Sequence, residues 1–389
     1  MIAWKELKKF GQFLRDKFSD QLTEHTGDIH DYLGIDLDYS KSGRLGVSMI
    51  KYLHKLLTGF SGYDNLRGDV KNPAHGKLFE VRDEKDADYL SEEQATEFHH
   101  VTAQLLFLCN RARCDIQNVV AFLTTRVKKP DIDDWGKLKR VLAYLKNTKY
   151  MKLTITVDDM SIIRWWVDAS DRTHHDCRGH SGIMMTLGGG APVSKSTKQR
   201  INTKSSTESE LVSLDDALPL ILWCLYFIEA QGYLVDKNIV YQDNMSTIRL
   251  AVNGSLSSSS LTKHIKARYY FIKYKVDKGK VTIEHCPTGQ MWNDVLNKPK
   301  QNLSFRKDRS KLMNVPVEYD NDKEFLDTHP DLLPEEDRLI LEKMKIFGSK
   351  FPSRSVLGDL DNRKPSGILR NNENPGNIKN NVTWAKVAG

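Results

Sequence analysis

The order of elements along this chain predicts a mixed α/β (α+β) fold: an antiparallel three-stranded meander, a long helix, then two more strands separated by helices, all preceded by a smaller α+β region. Three observations predict it. Closely spaced apolar segments at 162–169, 182–187 and 191–195 are joined through a Gly188-Gly189-Gly190 turn. A long helical stretch follows at 207–232, with Leu211, Leu214, Leu218, Leu222 and Leu225 on one face. Beyond it, short apolar runs at 239–242 and 280–286 alternate with helical segments at 244–252, 262–276 and 290–297.

The elements upstream follow from local chemistry. Residues 1–18 lack a signal-peptide core, and Glu6 and Asp16 argue against a transit peptide, which leaves a basic amphipathic helix packing Leu7, Phe10 and Leu14. Residues 29–38 (IHDYLGIDLD) alternate as a strand, 40–46 supply a turn, and 47–60 have a helical pattern. Pro73 and Gly76 mark 71–88 as a loop, Ser91 ahead of Glu93 and Gln94 is N-cap chemistry, and further helices follow around 100–111 and 133–147. Pro219 predicts a kink or a break in the long helix. The stretch 253–260 (NGSLSSSS) is linker-like, and the polar composition beyond 300 predicts a C-terminal extension to 353 and a disordered tail at 354–389. In that tail GILR (367–370) and NVTW (381–384) resemble paired docking motifs of phosphatase partners, a kind of short pattern common by chance.

Composition narrows the function classes. The 389 residues carry 58 Lys and Arg against 51 Asp and Glu, a net charge of +7 that favours nucleic acid without requiring it. Mean hydropathy is -0.51, and no uninterrupted apolar run approaches the roughly 18 residues of a membrane span. The five cysteines form no CxxC pair and no zinc-like Cys-His spacing, so a disulfide framework is not expected and a reducing compartment fits best. His174, His175 and His180 with Cys177 read as a polar loop between strands, because no second ligand pair stands at zinc spacing.

Four acids fall at element ends: Asp168 in the first strand of the meander, Glu210 in the first turn of the long helix, Asp243 after the next strand, and Asp294 at the last helix. Converging carboxylates need cations, and hard oxygen ligands select Mg²⁺ or Mn²⁺. Two such ions about 3.5 to 4 Å apart serve phosphodiester hydrolysis. The same positions also suit capping and surface acids.

The surrounding text separates the two. WWVDAS (165–170), SKSTKQRINTKSSTESELVSL (194–214), YQDNMSTIRLA (241–251), TKHIKARYYFIK (262–273) and MWNDVLNKP (291–299) occur in this order. Together they resemble the RNase H domain of copia-type LTR retrotransposon Pol polyproteins. Upstream, HDYLGIDLD (30–38), QLLFLCNRARCDIQ (104–117) and KLKRVLAYLKNT (137–148) resemble the reverse transcriptase thumb and connection of the same polyproteins. The resemblance implies an RNase H-like mixed five-stranded sheet with flanking helices at 161–300, and a thumb/connection remnant at 1–152 whose palm and fingers would lie before residue 1. Val157-Asp158-Asp159 mimics a polymerase turn but stands downstream of the connection, so it reads as a surface turn.

The resemblance further implies hydrolysis of the RNA strand of RNA:DNA hybrids with two Mg²⁺ ions (Mn²⁺ as a substitute), held by the catalytic acids Asp168, Glu210, Asp243 and Asp294. Glu210 is preferred to Glu208 because it directly precedes the apolar helix face at Leu211. Asn293 and Asn297 depart from the family's usual Ala and Thr. His285, nine positions before Asp294 (294 minus 285), stands where many RNase H enzymes carry a mobile His, or is a solvated strand-end residue. Seven basic residues against one acid at 262–280 suggest phosphate contacts, with Lys263, His264, Lys266, Arg268 and Lys273, together with Asn244, as nucleic-acid-binding groups. The implied partners are the RNA:DNA hybrid and the polymerase half of the polyprotein, acting in cytoplasm or nucleus. The rival is a remnant that keeps the fold and nucleic-acid binding but has lost turnover.

Overall fold

The computed structural model describes residues 4–18, 27–254 and 266–322, all within one compact unit, 1–335. The expected disorder at 354–389 and most of the linker lie outside the described residues. In chain order the elements are α1 (Trp4–Phe18), β1 (Ile29–Tyr32), β2 (Ile35–Asp38), β3 (Arg44–Ser48), α2 (Ile50–Thr58), α3 (Glu92–Cys109), α4 (Gln117–Thr124), α5 (Ile132–Asn147), β4 (Leu153–Val157), β5 (Ile162–Ser170), β6 (Arg178–Thr186), β7 (Gly188–Gly189), β8 (Val193–Asn202), α6 (Ser206–Ala230), β9 (Lys237–Gln242), α7 (Met245–Asn253), α8 (Lys266–Asp277), β10 (Thr282–His285) and α9 (Asn302–Met313).

They form two five-stranded sheets. One, ordered β1-β2-β3-β4-β7, is antiparallel throughout; the other is ordered β10-β9-β5-β6-β8. In the second, β5, β6 and β8 pair antiparallel, whereas β9 and β10 join parallel to β5. That order is the RNase H-like arrangement. Residues 29–38 make a hairpin rather than one strand, because Leu33 and Gly34 both take positive φ, 55° and 77°, the backbone of a two-residue turn. The helix expected over 47–60 begins only after Val47 and Ser48 have paired with Leu37 and Asp36. Ser91 and Gln94 close a capping box on α3, which extends unbroken through the stretch where a separate helix was expected. Of the apolar face expected on α1, Phe10 is exposed and Leu14 half-buried, and the Leu7 side chain lies outside the described residues.

α6 runs as a single helix through Pro219. The proline is exposed, so the Asp215 carbonyl it leaves unpaired can reach water, while buried Leu218, Ile221 and Leu222 hold the helix on both sides. By length and composition α6 could cross a membrane, although Asp215 and Asp216 interrupt its apolar run. In the fold it instead lies on the sheet, its Leu211, Leu214, Leu218 and Leu225 packed with Ile163, Trp165, Val167 and Val240.

The opposite face of that sheet is covered by the upstream helices. Trp166 and Met184 join one core with Leu105, Phe122, Leu142, Met291 and Phe305. The segment between β5 and β6 is the expected polar loop, with His175 and Cys177 exposed, while His174 and His180 enter this seam. His174 and His180 are buried, hydrogen-bonded to each other at 3.0 Å, and set against Phe79 at ring separations of 4.8 and 5.2 Å. Burial depresses both, His174 to about 4 and His180 well below its ordinary value, so the fold holds them neutral. The unfolded chain takes up their protons near pH 6.5. Stability that is complete above that pH is therefore lost as pH falls toward 4, by up to about 3 kcal/mol for His174 alone. Urea midpoints measured between pH 7 and 5 should decline, and His174→Gln should flatten the decline.

Candidate active site

The parallel register of β5 and β9 assembles the site. Trp166 faces Tyr241 across the pair, so two residues on, Asp168 and Asp243 come to lie side by side at the strand ends. Ser205 caps α6 through the Glu208 amide at 3.3 Å, which sets the first turn and brings Glu210 over the same edge. One carboxylate oxygen from each of Asp168, Glu210 and Asp243 lies within 4.8 Å of the others. Asp168 and Glu210 are buried. Glu208 takes the other course: its carboxylate accepts from the Lys204 amide at 2.8 Å, a local tie at the start of the helix.

Asp294 arrives from the far side of Asp168. The helix expected at 290–297 is instead a pair of 3₁₀ turns, Thr288–Gln290 and Trp292–Leu296. These seat closely on β6 because residue 182 is glycine. A Cβ at Gly182 would stand 3.1 Å from the Asn293 carbonyl oxygen and the Leu296 Cβ, and 3.3 Å from the Asn297 Cβ. Gly182→Ala should displace the turn carrying Asp294 at a cost of about 1–3 kcal/mol, measurable as a lower urea midpoint. Both departures from the family pattern have defined roles here. Asn293 donates to the Gly182 carbonyl at 2.9 Å, and Asn297 donates to Asp168 Oδ2 at 2.7 Å.

Two lysines complete the electrostatics. Lys298 Nζ lies 2.8 Å from Asp168 Oδ2 and 2.6 Å from Asp294 Oδ1. Lys300 Nζ bridges Asp294 Oδ2 and Asp308 Oδ2, each at 2.7 Å. Burial works against ionisation of Asp168, but Lys298 and its hydrogen-bond donors hold its carboxyl below the ordinary range. Glu210 is pushed well above that range by burial and by the neighbouring Asp168 charge. Burial also raises Asp294. Glu210 Oε2 also accepts from Gln242 at 3.2 Å. Asp243 is oriented by Thr288, which donates at 2.9 Å. The Thr288 and Gly182 contributions follow from tertiary packing and carry no sequence motif of their own, whereas Lys298 stands within MWNDVLNKP.

The other expected site residues are placed less favourably. His285 ends β10, exposed beside Gln242, and its ring makes no hydrogen bond to the four acids. Asn244 uses its Oδ1 to cap α7, accepting from Ser246 and Thr247 at 3.0 and 3.1 Å. Arg268, expected among the nucleic-acid-binding groups, lies on α8. It is ion-paired with Asp215 at 2.6 Å and Asp216 at 3.4 Å, tying α8 to α6. Lys273 is likewise paired with Asp277 at 2.8 Å, one helical turn on. Lys266 opens α8, and Lys263 and His264 lie outside the described residues.

No protein-family model matches the chain. The Pol polyprotein from transposon TNT 1-94 of Nicotiana tabacum is 24% identical over 274 residues, 70% of this chain and 20% of that protein. The Pol polyprotein from transposon RE2 of Arabidopsis thaliana is 29% identical over 230 residues, 57% of this chain and 15% of that one. Among solved structures, LC11-RNase H1, isolated from compost, aligns with 35% of this chain and 92% of its own at 16% identity and a TM-score of 0.28. The chain thus spans a fifth or less of the length of the two polyproteins. The chain is similar to retrovirus-related Pol polyproteins of copia-type transposons over 52–70% of its own length, at 24–29% identity.

Proposed function

We propose that the acid-bearing sheet edge hydrolyses the RNA strand of RNA:DNA hybrids with the help of two Mg²⁺ ions. The observation that carries this reading is the convergence of Asp168, Glu210 and Asp243 within 4.8 Å. The donor set fits the ion. It is all hard oxygen, and burial together with the neighbouring Asp168 charge raises Glu210, a cost that a divalent cation would offset. When bound, the ions would activate water and stabilise charge on the phosphate oxygens.

The chain's own residues do the positioning. Asn297 and Lys298 hold Asp168 through its Oδ2. Gln242 orients Glu210, and Thr288 orients Asp243. Asp294 would complete the set of acids once its lysine contacts yield. Choice of hybrid over other duplexes would come from groove shape and 2′-hydroxyl contacts.

The test is cleavage of a labelled hybrid by the purified chain in Mg²⁺, beside matched RNA and DNA duplexes. Metal-dependent cut products from the hybrid alone are expected. A second reading, a fold that binds without turnover, is favoured by one observation: both oxygens of Asp294 are occupied by ammonium groups. Intact hybrid that nonetheless shifts in a binding assay would decide for it.

A further inference from the structure

Away from the acids, a cavity of about 280 Å³ opens between the irregular 67–72 segment, α5 and the start of α9, lined by Arg67, Asp69, Lys71, Asn72, Arg140 and Asn302. Its volume is near the lower end for small-ligand clefts, roughly 300 Å³. Its charges are unevenly satisfied. Lys71 is paired with Asp320 at 2.6 Å. Neither guanidinium is ion-paired to a carboxylate among the described residues. Arg140 meets only the His75 ring, at 2.9 Å, and its buried Nε has no hydrogen-bond acceptor. Burial and the neighbouring Arg67 charge both lower Arg140, and Asp69 offsets this in part.

The walls are preformed. Asn147 donates to the Val70 carbonyl at 3.2 Å, Gln301 to the Ala74 carbonyl at 2.9 Å, and the Asn302 amide to Asn72 Oδ1 at 3.1 Å. An orphaned guanidinium N–H beside a second unpaired guanidinium, in a fixed polar cavity, calls for a compact anion with several acceptor oxygens. Phosphoryl groups meet that description and pair with arginine through forked hydrogen bonds.

We propose that the Arg67–Arg140 cavity is a phosphoryl-binding site, separate from the carboxylate edge and independent of whether that edge cuts. The phosphoryl group belongs either to a nucleic-acid backbone or to a free phosphorylated small molecule, and two arms of one experiment separate them. In the first, the full chain is titrated with inorganic phosphate while the arginine Nε–H resonances are followed by NMR. A saturable shift of the Arg140 signal is expected, absent with equal chloride, retained in Asp168→Asn, and weakened about tenfold or more in Arg67→Ala; in Arg140→Gln, where that resonance is gone, the shift of the Arg67 signal should weaken to the same degree. Arg67 is exposed, so its variant keeps the test valid should Arg140→Gln fold poorly. In the second arm, a short RNA:DNA hybrid is bound to the Asp168→Asn chain with and without Arg67→Ala. Weaker binding with a salt slope reduced by about 1 assigns a backbone phosphate. Unchanged hybrid binding beside a positive phosphate titration assigns a small phosphorylated ligand. A phosphate titration no different from chloride overturns the proposal.

Discussion

Asp168→Asn is expected to lower Mg²⁺-dependent hybrid cleavage by about a thousandfold while leaving the chain folded. Asparagine is nearly isosteric and keeps a side-chain oxygen for Asn297 to donate to, so the 2.7 Å contact has a successor. What disappears is the charge that lies against Glu210 and Lys298. Calorimetry should therefore show weaker Mg²⁺ binding alongside the lost activity. A variant that still cleaves at near the parental rate would remove Asp168 from the chemistry and leave the cluster as packing.

The largest stability effect is expected at Arg113. Its guanidinium forks onto Asp115 at 2.9 and 2.8 Å and reaches the Thr148 carbonyl at 2.7 Å. Tyr144 donates to the same carboxylate at 2.6 Å. Arg309 of α9 contacts Tyr144 at 3.3 Å and donates to the Tyr319 carbonyl, while Tyr319 donates to Asp322. Burial opposes charging of both partners, but Arg113 keeps Asp115 below the ordinary carboxylate range. Arg113→Met strands a carboxylate whose side chain has 0% exposure, at a cost of about 3–5 kcal/mol. The double variant with Asp115→Leu should recover much of that loss, since neither charge is then left alone. Urea unfolding of the single and double variants measures both. Equal losses in the two would mean that packing, not the ion pair, holds this joint.

Much of this architecture is legible in the chain because it is local. The short apolar runs at 162–169 and 239–242 mark two strands of the second sheet, and Asp168 and Asp243 stand at their ends for the same reason. Ser205 and Glu208 mark the start of α6 and so place Glu210. What escapes a linear reading is whatever depends on a distant partner. The Thr288–Leu296 turns have too few residues for helical period to distinguish 3₁₀ from α. Gly182 matters only through the turn pressed on it, and nothing near it in sequence says so. The ion pairs of Arg268 with Asp215 and Asp216 exist only where two helices face each other. The burial of His174 and His180, in and beside a polar loop, comes from the distant Phe79 and Phe122.

The seam beneath Trp166 carries one more consequence. A piece of chain cut at 161–300 would leave Trp166, Met184 and Met291 without Leu105, Phe122 and Leu142 above them, a sticky apolar face on an otherwise soluble fragment. The amides of β5 and of α5 should accordingly exchange with deuterium through the same global opening rather than through two separate ones. For this polypeptide the unit of inheritance that can be moved intact is the helices together with the sheet, and a breakpoint near residue 160 would sever a single foldon.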